Sequence, residues 1–328
     1  MNKLLTIVIP CYNTEQYLAE CLDSVLLPEY NDVLEVFAIN DGSRDGTLAL
    51  AREYEEKYPE ILRVIDKPNG GWGTVINIAI TEARGRYFKI LDSDDWFDKD
   101  AFVEFFSLLK NVDVDLFISN YTEIYNDKIV EGKKYGEKVC HRMMNLEEYL
   151  EKTNKPELFP MTNITIKTDV LRLGNVVLPA RYYGDICFFI YTMSLSQSIY
   201  ITNLNVYQYR KTVAGQSTSI AGYIRNHKDY IEVVSRLVNF YSQSSLTQNK
   251  RQIIKSNLLR NIGFAYKLLM SKEYCGSIKE SPILLNDYNR FLKQTSKELY
   301  WESFKITNKN IPYVLIWRLF NINLFKLR

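Results

Sequence analysis

Tyr87-Phe88-Lys89-Ile90-Leu91-Asp92-Ser93-Asp94-Asp95 decides the reading of this chain. It begins with the apolar and aromatic composition of a buried strand and stops abruptly at a cluster of carboxylates. Packing gives no reason to gather those charges. At the carboxyl end of a strand in an open α/β sheet, where ligands bind, a divalent cation relieves their repulsion most simply, and a metal held there by oxygen ligands usually grips phosphates as well. The competing reading is that one aspartate caps a helix beginning near Asp98 or Ala101 while the others are solvated.

On the N-terminal side of this stretch, strand-like runs alternate with helical periodicity. Strands are expected over Leu4 to Pro10, Leu34 to Asn40 and Ile61 to Asp66, and helices over Glu15 to Leu27, Thr47 to Tyr58 and Thr74 to Ala83. This rhythm predicts an α/β fold with a mostly parallel central sheet covered on both faces. The loops at the carboxyl ends of its strands then meet at one edge: Cys11-Tyr12-Asn13, Asp41-Gly42-Ser43, Lys67 to Gly73, and Asp92 to Asp95. On the C-terminal side, residues 116 to 216 mix short strands, turns and helices, with a hairpin near Tyr125 to Val130 and a helix near Leu146 to Lys152. From Ala221 the pattern is helical, clearest over Ile224 to Tyr241 and Arg251 to Met270. We expect a boundary near residue 218, dividing the chain into 1–218 and a helical C-terminal region, 219–328.

With 328 residues, 46% of them hydrophobic, the chain can bury a sizeable core. Its net charge of +2 asks for no nucleic-acid partner. Cys11, Cys21, Cys140, Cys187 and Cys275 are odd in number, widely spread and without a CxxC pair, which argues for reduced thiols over a disulfide framework or zinc ribbon. The start, Met1-Asn2-Lys3 and a short apolar run into Pro10, lacks the form of a signal peptide, and no stretch approaches the roughly 20 apolar residues of a bilayer span. A cytoplasmic protein, free or at the inner face of the plasma membrane, is expected.

The individual motifs narrow the chemistry. Asp92-Ser93-Asp94-Asp95 fails as an EF-hand loop, because Phe97 stands where the turn needs glycine and Val103 where it needs the bidentate acid. Two aspartates bracketing one residue suit Mg²⁺ or Mn²⁺ instead. Asn40-Asp41-Gly42-Ser43-Arg44-Asp45-Gly46-Thr47 suffices as a turn and helix cap, yet Asp41 stands at a strand end where a carboxylate can accept from a base N–H or a sugar hydroxyl. Gly70-Gly71-Trp72-Gly73 breaks the G-x-G-x-x-G pattern at Ile76 and follows the third strand, not the first. The absence of glycine in Pro10-Cys11-Tyr12-Asn13 and of any GK[ST] argues against nicotinamide and Walker phosphate sites; the glycines fit either a close approach to diphosphate or sugar, or a plain loop. His141 and His227 are too few for a histidine-rich metal site, and His227 reads as a surface residue or as one reaching a metal or phosphate. No GxSxG marks a serine hydrolase.

Taken together, Ile9-Pro10-Cys11-Tyr12-Asn13, Asn40 to Thr47, Asn69-Gly70-Gly71 with Asn77, and Gly85-Arg86-Tyr87 leading to Asp92-Ser93-Asp94-Asp95 resemble the inverting family 2 glycosyltransferases of bacteria, with a GT-A type nucleotide-sugar-binding fold. The likeness continues through Tyr183-Gly184-Asp185 and Tyr209-Arg210 to Gln216-Ser217. The resemblance implies a nucleotide-binding half over about 1–110 and an acceptor half over about 111–218. It implies that Pro10 and Tyr12 border the base, that Asp41 reads it, and that Asn69, Gly71 and Asp92 complete the nucleotide site. Asp92 and Asp94 would form the metal motif for Mn²⁺ or Mg²⁺, with Asp94 the direct ligand, and Asp185 would be the general base.

Two departures stand out: Gly184 replaces the glutamate of the family's usual Glu-Asp pair, and Val75-Ile76-Asn77 replaces Ala-Arg-Asn. Lys67, Arg84 and Arg210 are the candidates for the missing basic side chain. The implied partners are a nucleotide-sugar donor, with uridine the preferred base, and a glycan or lipid-linked glycan acceptor in surface polysaccharide synthesis. A homodimer is compatible with the sequence. The alternatives are a sugar nucleotidyltransferase, which expects a glycine-rich basic loop that Pro10 to Thr14 lacks, and a catalytically silent nucleotide-sugar-binding module. The tail 303–328, basic and aromatic-rich, with Lys305, Lys309, Arg318, Lys326 and Arg328 and no acidic residue, either lies on an anionic membrane or docks on protein with its cations outward.

Overall fold

β1 (Lys3–Cys11) buries Leu5, Ile7, Val8 and Ile9 completely, as a strand covered on both faces must. It is the centre of a parallel array. β2 (Leu34–Asp41), buried along its whole length, pairs with it from Leu5↔Leu34 to Cys11↔Asn40, and β3 (Leu62–Lys67) pairs in turn with β2. β4 (Gly85–Ile90) runs parallel to β1 on its other side. The four strands therefore end at the same edge, which carries Cys11, Asp41, Lys67 and the residues after Ile90.

Beyond β4 the sheet changes character. β9 (Ile164–Lys167) is inserted antiparallel between β4 and β6 (Leu116–Ile124), and β10 (Ser198–Arg210) runs parallel to β6. β5 (Trp96–Phe97), β7 (Ile129–Glu131) and β8 (Met143–Asn145) add antiparallel edges to β10, β6 and β10. The sheet is mostly parallel, with its antiparallel pairs confined to the second half.

Helices cover it by apolar stripes. α1 (Glu15–Val25) turns Leu18, Cys21, Leu22 and Val25 inward, and α4 (Lys99–Asn111) does the same with Phe102, Phe105, Phe106 and Leu109, each at the i, i+3, i+4, i+7 spacing of one helix face. α4 has its own cap: the Asp98 side chain accepts from the Ala101 N–H at 2.9 Å. None of Asp92, Asp94 and Asp95 is that cap. α2 (Thr47–Lys57), α3 (Trp72–Glu82), α5 (Leu146–Lys152), α6 (Thr168–Leu173) and α7 (Gly184–Leu195) complete this part.

The computed structural model describes residues 3–132, 134–153, 159–180, 182–211, 220–270 and 281–320. Gln216, Ser217, Cys275, Lys326 and Arg328 lie outside them, as does the expected boundary at 218. The chain forms two units, Met1–Ala214 and Gly215–Arg328. The second is helical: Ile220–Arg225, His227–Gln243, Gln248–Met270, Ser281–Thr295, Lys297–Glu302 and Tyr313–Phe320. Its core joins Val233, Val234 and Leu237 with Leu258, Ile262, Tyr266 and Leu292, all without exposed surface.

The tail does not present all its cations outward. Arg318 turns into the second unit, where its guanidinium donates to Asn289 Oδ1 (2.7 Å), the Tyr300 carbonyl oxygen (3.1 Å) and Ser303 Oγ (3.1 Å), and lies over the Tyr300 ring at 4.1 Å. Tyr313, Val314 and Trp317 are buried beside it. His227 is likewise not a surface residue: it is buried, with Nδ1 2.8 Å from the Ile224 carbonyl oxygen. Among the described residues, no helix is long and apolar enough to cross a membrane.

Candidate active site

The loops at the carboxyl edge of the parallel strands are laced together by short hydrogen bonds. Asn13 N–H donates to Ser43 Oγ (3.0 Å), Arg44 N–H to Asn13 Oδ1 (2.8 Å), Ser93 Oγ to the Pro10 carbonyl (2.7 Å) and Asn69 Nδ2 to the Asp41 carbonyl (2.9 Å). They enclose a cavity of about 380 Å³. Pro10, Tyr12, Asp41, Asn69, Gly71, Asp92 and Asp94 all line it, together with Trp72 and Tyr182.

Asp41 is more than a free acceptor at a strand end. Its carboxylate takes the Gly70 and Gly71 N–H groups at 2.8 Å each and pairs with Lys67. These bonds hold the glycine loop in place, with Gly71 at a φ of 91°. A carboxylate has about four lone-pair sites, so capacity for a further donor remains.

The three neighbouring carboxylates have different partners. Asp95 is buried, accepting from the Tyr207 hydroxyl (2.7 Å) and the Arg210 N–H (2.7 Å), while Tyr207 Oη also receives the Asp92 N–H at 3.1 Å. It therefore ties the motif to β10. Asp92 and Asp94 face the cavity, and Trp72 Nε1 donates to Asp92 Oδ1 at 3.3 Å. Burial, with the charges of Asp94 and Asp185 added, pushes Asp92 up to about 7 against the Trp72 bond. Burial also raises Asp94, and burial with Asp92 and Asp94 alongside takes Asp95 to about 8.

Such a pair of oxygen donors facing the cavity fits a hard cation that keeps substrate phosphates and water in its shell, which needs only one or two protein carboxylates. It does not fit a cage made of protein alone: among the described residues no group of three or more His, Cys, Asp or Glu side chains is placed to hold a metal.

Asp185, the second residue of α7, is not part of the cavity wall. It is open to solvent, yet protein crowded around it raises its pKa against hydrogen bonds from the Ile186 N–H and its own N–H. Its charge acts on Asp92 and on Tyr209, so it lies within electrostatic reach of the aspartate cluster. The loop before α7 is strapped to α3. Asn77 exchanges two hydrogen bonds with the Leu178 backbone (2.8 and 3.0 Å), and Gly73 N–H donates to the Ala180 carbonyl at 2.9 Å.

The three candidate cations divide clearly. Lys67 is bound to Asp41, and Arg84 to the buried Glu35. Arg210 alone of the three is beside the aspartates, donating from Nε to the Asp94 carbonyl (2.9 Å) and stacked on Trp96 at 4.6 Å. Reading the sequence missed Trp72, Tyr182, Tyr207 and the separate task of Asp95. Only the tryptophan in Gly71-Trp72-Gly73 left a signal, as an unusual bulky residue between glycines.

A parallel sheet whose carboxyl edge carries a cavity flanked by an aspartate pair, followed by a helical region, is the architecture of a GT-A type fold. Residues 6–172 match glycosyl transferase family 2, and the chain belongs to that family. Over 102 residues it is 43% identical to the uncharacterized glycosyltransferase MG025 homolog of Mycoplasma pneumoniae, covering 30% of this chain and 34% of that protein. It is 25% identical over 272 residues to glycosyltransferase GlyG of Streptococcus pneumoniae, covering 80% and 88% respectively. S. aureus TarS in complex with UDP-GlcNAc shares the fold, with a TM-score of 0.66 at 19% identity over 90% of this chain and 82% of that one. The match to the MG025 homolog thus spans about a third of that relative's length.

Proposed function

We propose that the protein transfers a sugar from a nucleotide-sugar, with uridine as the base, to a hydroxyl of a glycan or lipid-linked glycan, inverting the anomeric carbon, in bacterial surface polysaccharide or glycoconjugate synthesis. We place it at the cytoplasmic face of the membrane where such acceptors are built. The observation that carries the reading is the meeting of Pro10, Tyr12, Asp41, Asn69, Gly71, Asp92 and Asp94, from loops far apart in sequence, around one cavity.

In this reading Pro10 and Tyr12 flank the base, Asp41 accepts from it, and the Gly71 backbone comes close to the diphosphate. Asp94 with Asp92 would hold Mn²⁺ or Mg²⁺, which would neutralise charge on the departing diphosphate. Asp185 removes the acceptor's hydroxyl proton. The acceptor oxygen then bonds to the anomeric carbon as the bond from that carbon to the phosphate oxygen breaks, its electron pair leaving with the nucleoside diphosphate. A carboxylate with a raised pKa is the stronger base for that step.

The test is a thermal-shift series with UDP and GDP, with and without Mn²⁺, alongside turnover of UDP-sugars. Stabilisation should be greatest with UDP and Mn²⁺, by mass action on the folded state. Asp94→Ala should remain folded and lose about 100-fold or more in transfer rate. A folded Asp94→Ala protein with wild-type rate and unchanged metal dependence would overturn the metal assignment.

A further inference from the structure

We infer that Trp72 is the platform on which the transferred sugar rests, and that glycine at 184 lets the indole sit close against the start of the helix that carries Asp185. The inference rests on the nucleotide-sugar reading of the cavity and deepens it.

The indole spans the gap the reaction must cross. At one end Nε1 donates to Asp92 Oδ1 at 3.3 Å. At the other, Cε3 and Cζ3 lie 3.2 Å from the position a Cβ on Gly184 would take, next in sequence to Asp185. With the diphosphate at Asp92 and Asp94 and the proton acceptor at Asp185, the anomeric carbon would lie between them, and Trp72, part of the cavity wall, reaches from Asp92 to the residue before Asp185. A pyranose offers one face of C–H groups, and the flat apolar surface of an indole is the complement of that face, with its N–H retained for a polar partner.

The ring is also held in place. Trp72 opens α3 directly after Gly71, and the next residue has no room for a side chain: a Cβ on Gly73 would fall 1.8 Å from the Pro179 carbonyl oxygen. Together with the Asn77–Leu178 pair, this packs the first turn of α3 onto the loop that leads into Asp185. The platform and the base therefore share one support.

This geometry connects the departure at Gly184 with Trp72, the bulky residue between Gly71 and Gly73. A glutamate at 184, as in the usual Glu-Asp pair, would start 3.2 Å from the ring, so the indole would have to give by a few tenths of an ångström to admit it. Trp72 and Gly184 form one arrangement, with the indole as the surface offered to the sugar.

The test uses the full chain with Mn²⁺ and compares the dissociation constant of UDP with those of UDP-glucose, UDP-galactose and UDP-GlcNAc by calorimetry. In the wild type at least one sugar should tighten binding by about fivefold over UDP, the size of one aromatic contact. In Trp72→Ala that ratio should fall to about one while UDP still binds. Trp72→Phe, which keeps a ring and loses the N–H, should retain most of the ratio and abolish any quenching of tryptophan emission that a UDP-sugar produces beyond UDP. An unchanged ratio in Trp72→Ala, or no UDP-sugar distinguished from UDP by the wild type, overturns the role of Trp72 and leaves the nucleotide site standing. Failure of the wild type to bind UDP or GDP under any condition removes the nucleotide-sugar reading, and this inference with it.

Discussion

Asp185 and Asp95 show how a carboxylate's task is set by what surrounds it. Burial raises both. Asp95 is closed in by Tyr207 and the Arg210 N–H, whereas Asp185 remains open to solvent and able to receive a proton from an incoming molecule. Asp185→Asn keeps the shape and removes the basicity, so turnover should fall by roughly 100-fold or more with nucleotide affinity nearly intact. Only the ionised form accepts the proton, and the raised pKa means that form is lost at a higher pH than for an ordinary carboxylate. The wild-type rate should therefore climb with pH through a midpoint above the usual aspartate range, a limb that the residual activity of Asp185→Asn should lack. An active Asp185→Asn enzyme with the same limb would move the base elsewhere. Residue types at the sheet edge were legible in sequence because strand ends and motif spacing locate them. The division of labour within Asp92, Asp94 and Asp95 was not, since it depends on Tyr207 and Arg210, which follow Asp95 by 112 and 115 residues.

At the scale of elements, local pattern was readable and long-range polarity was not. The apolar spacing of α1 and α4 and the buried runs of β1 and β2 each carry their own signal. β9 has only Ile164–Lys167, and nothing in so short a run says that it must insert antiparallel between β4 and β6. The strap between α3 and the loop before α7 was hidden for the same reason, because Asn77 and Leu178 are 101 residues apart. Gly73→Ala tests that strap. The added methyl cannot coexist with the Pro179 carbonyl at 1.8 Å, so either the helix start or the loop has to move. We expect a loss of about 1–3 kcal/mol in stability, the usual result of overpacking, and a larger fall in kcat than in UDP affinity, because the loop carries Asp185. A thermal midpoint and kcat equal to wild type would show that the strap does not hold the site.

For the molecule as a whole, the remaining question is how the enzyme meets an acceptor, and the helical unit bears on it. Truncation before Ser303 is a poor test of membrane contact: it would remove Tyr313, Val314 and Trp317 from the core of that unit and leave the partners of Arg318 unpaired. The exposed apolar residues are a better one. Trp301, Leu319 and Phe320 are each more than 60% exposed, and Trp301 packs on Phe304, whose ring Arg318 covers at 4.5 Å, so they border one region. We propose that this rim, with Lys305 and Lys309 nearby in sequence, touches an anionic lipid surface and brings the cavity's owner to a lipid-linked acceptor. Arg318 is largely engaged within the unit, so the electrostatic part should be modest and the apolar part dominant. Full-length protein should co-sediment with vesicles containing phosphatidylglycerol, more weakly at high salt, and Trp301→Ser/Leu319→Ser/Phe320→Ser should lose most of that binding while its unfolding temperature stays near wild type. If the triple variant sediments as well as the parent, or if the parent ignores anionic vesicles, the rim is no membrane contact and a water-soluble glycan becomes the acceptor to test first.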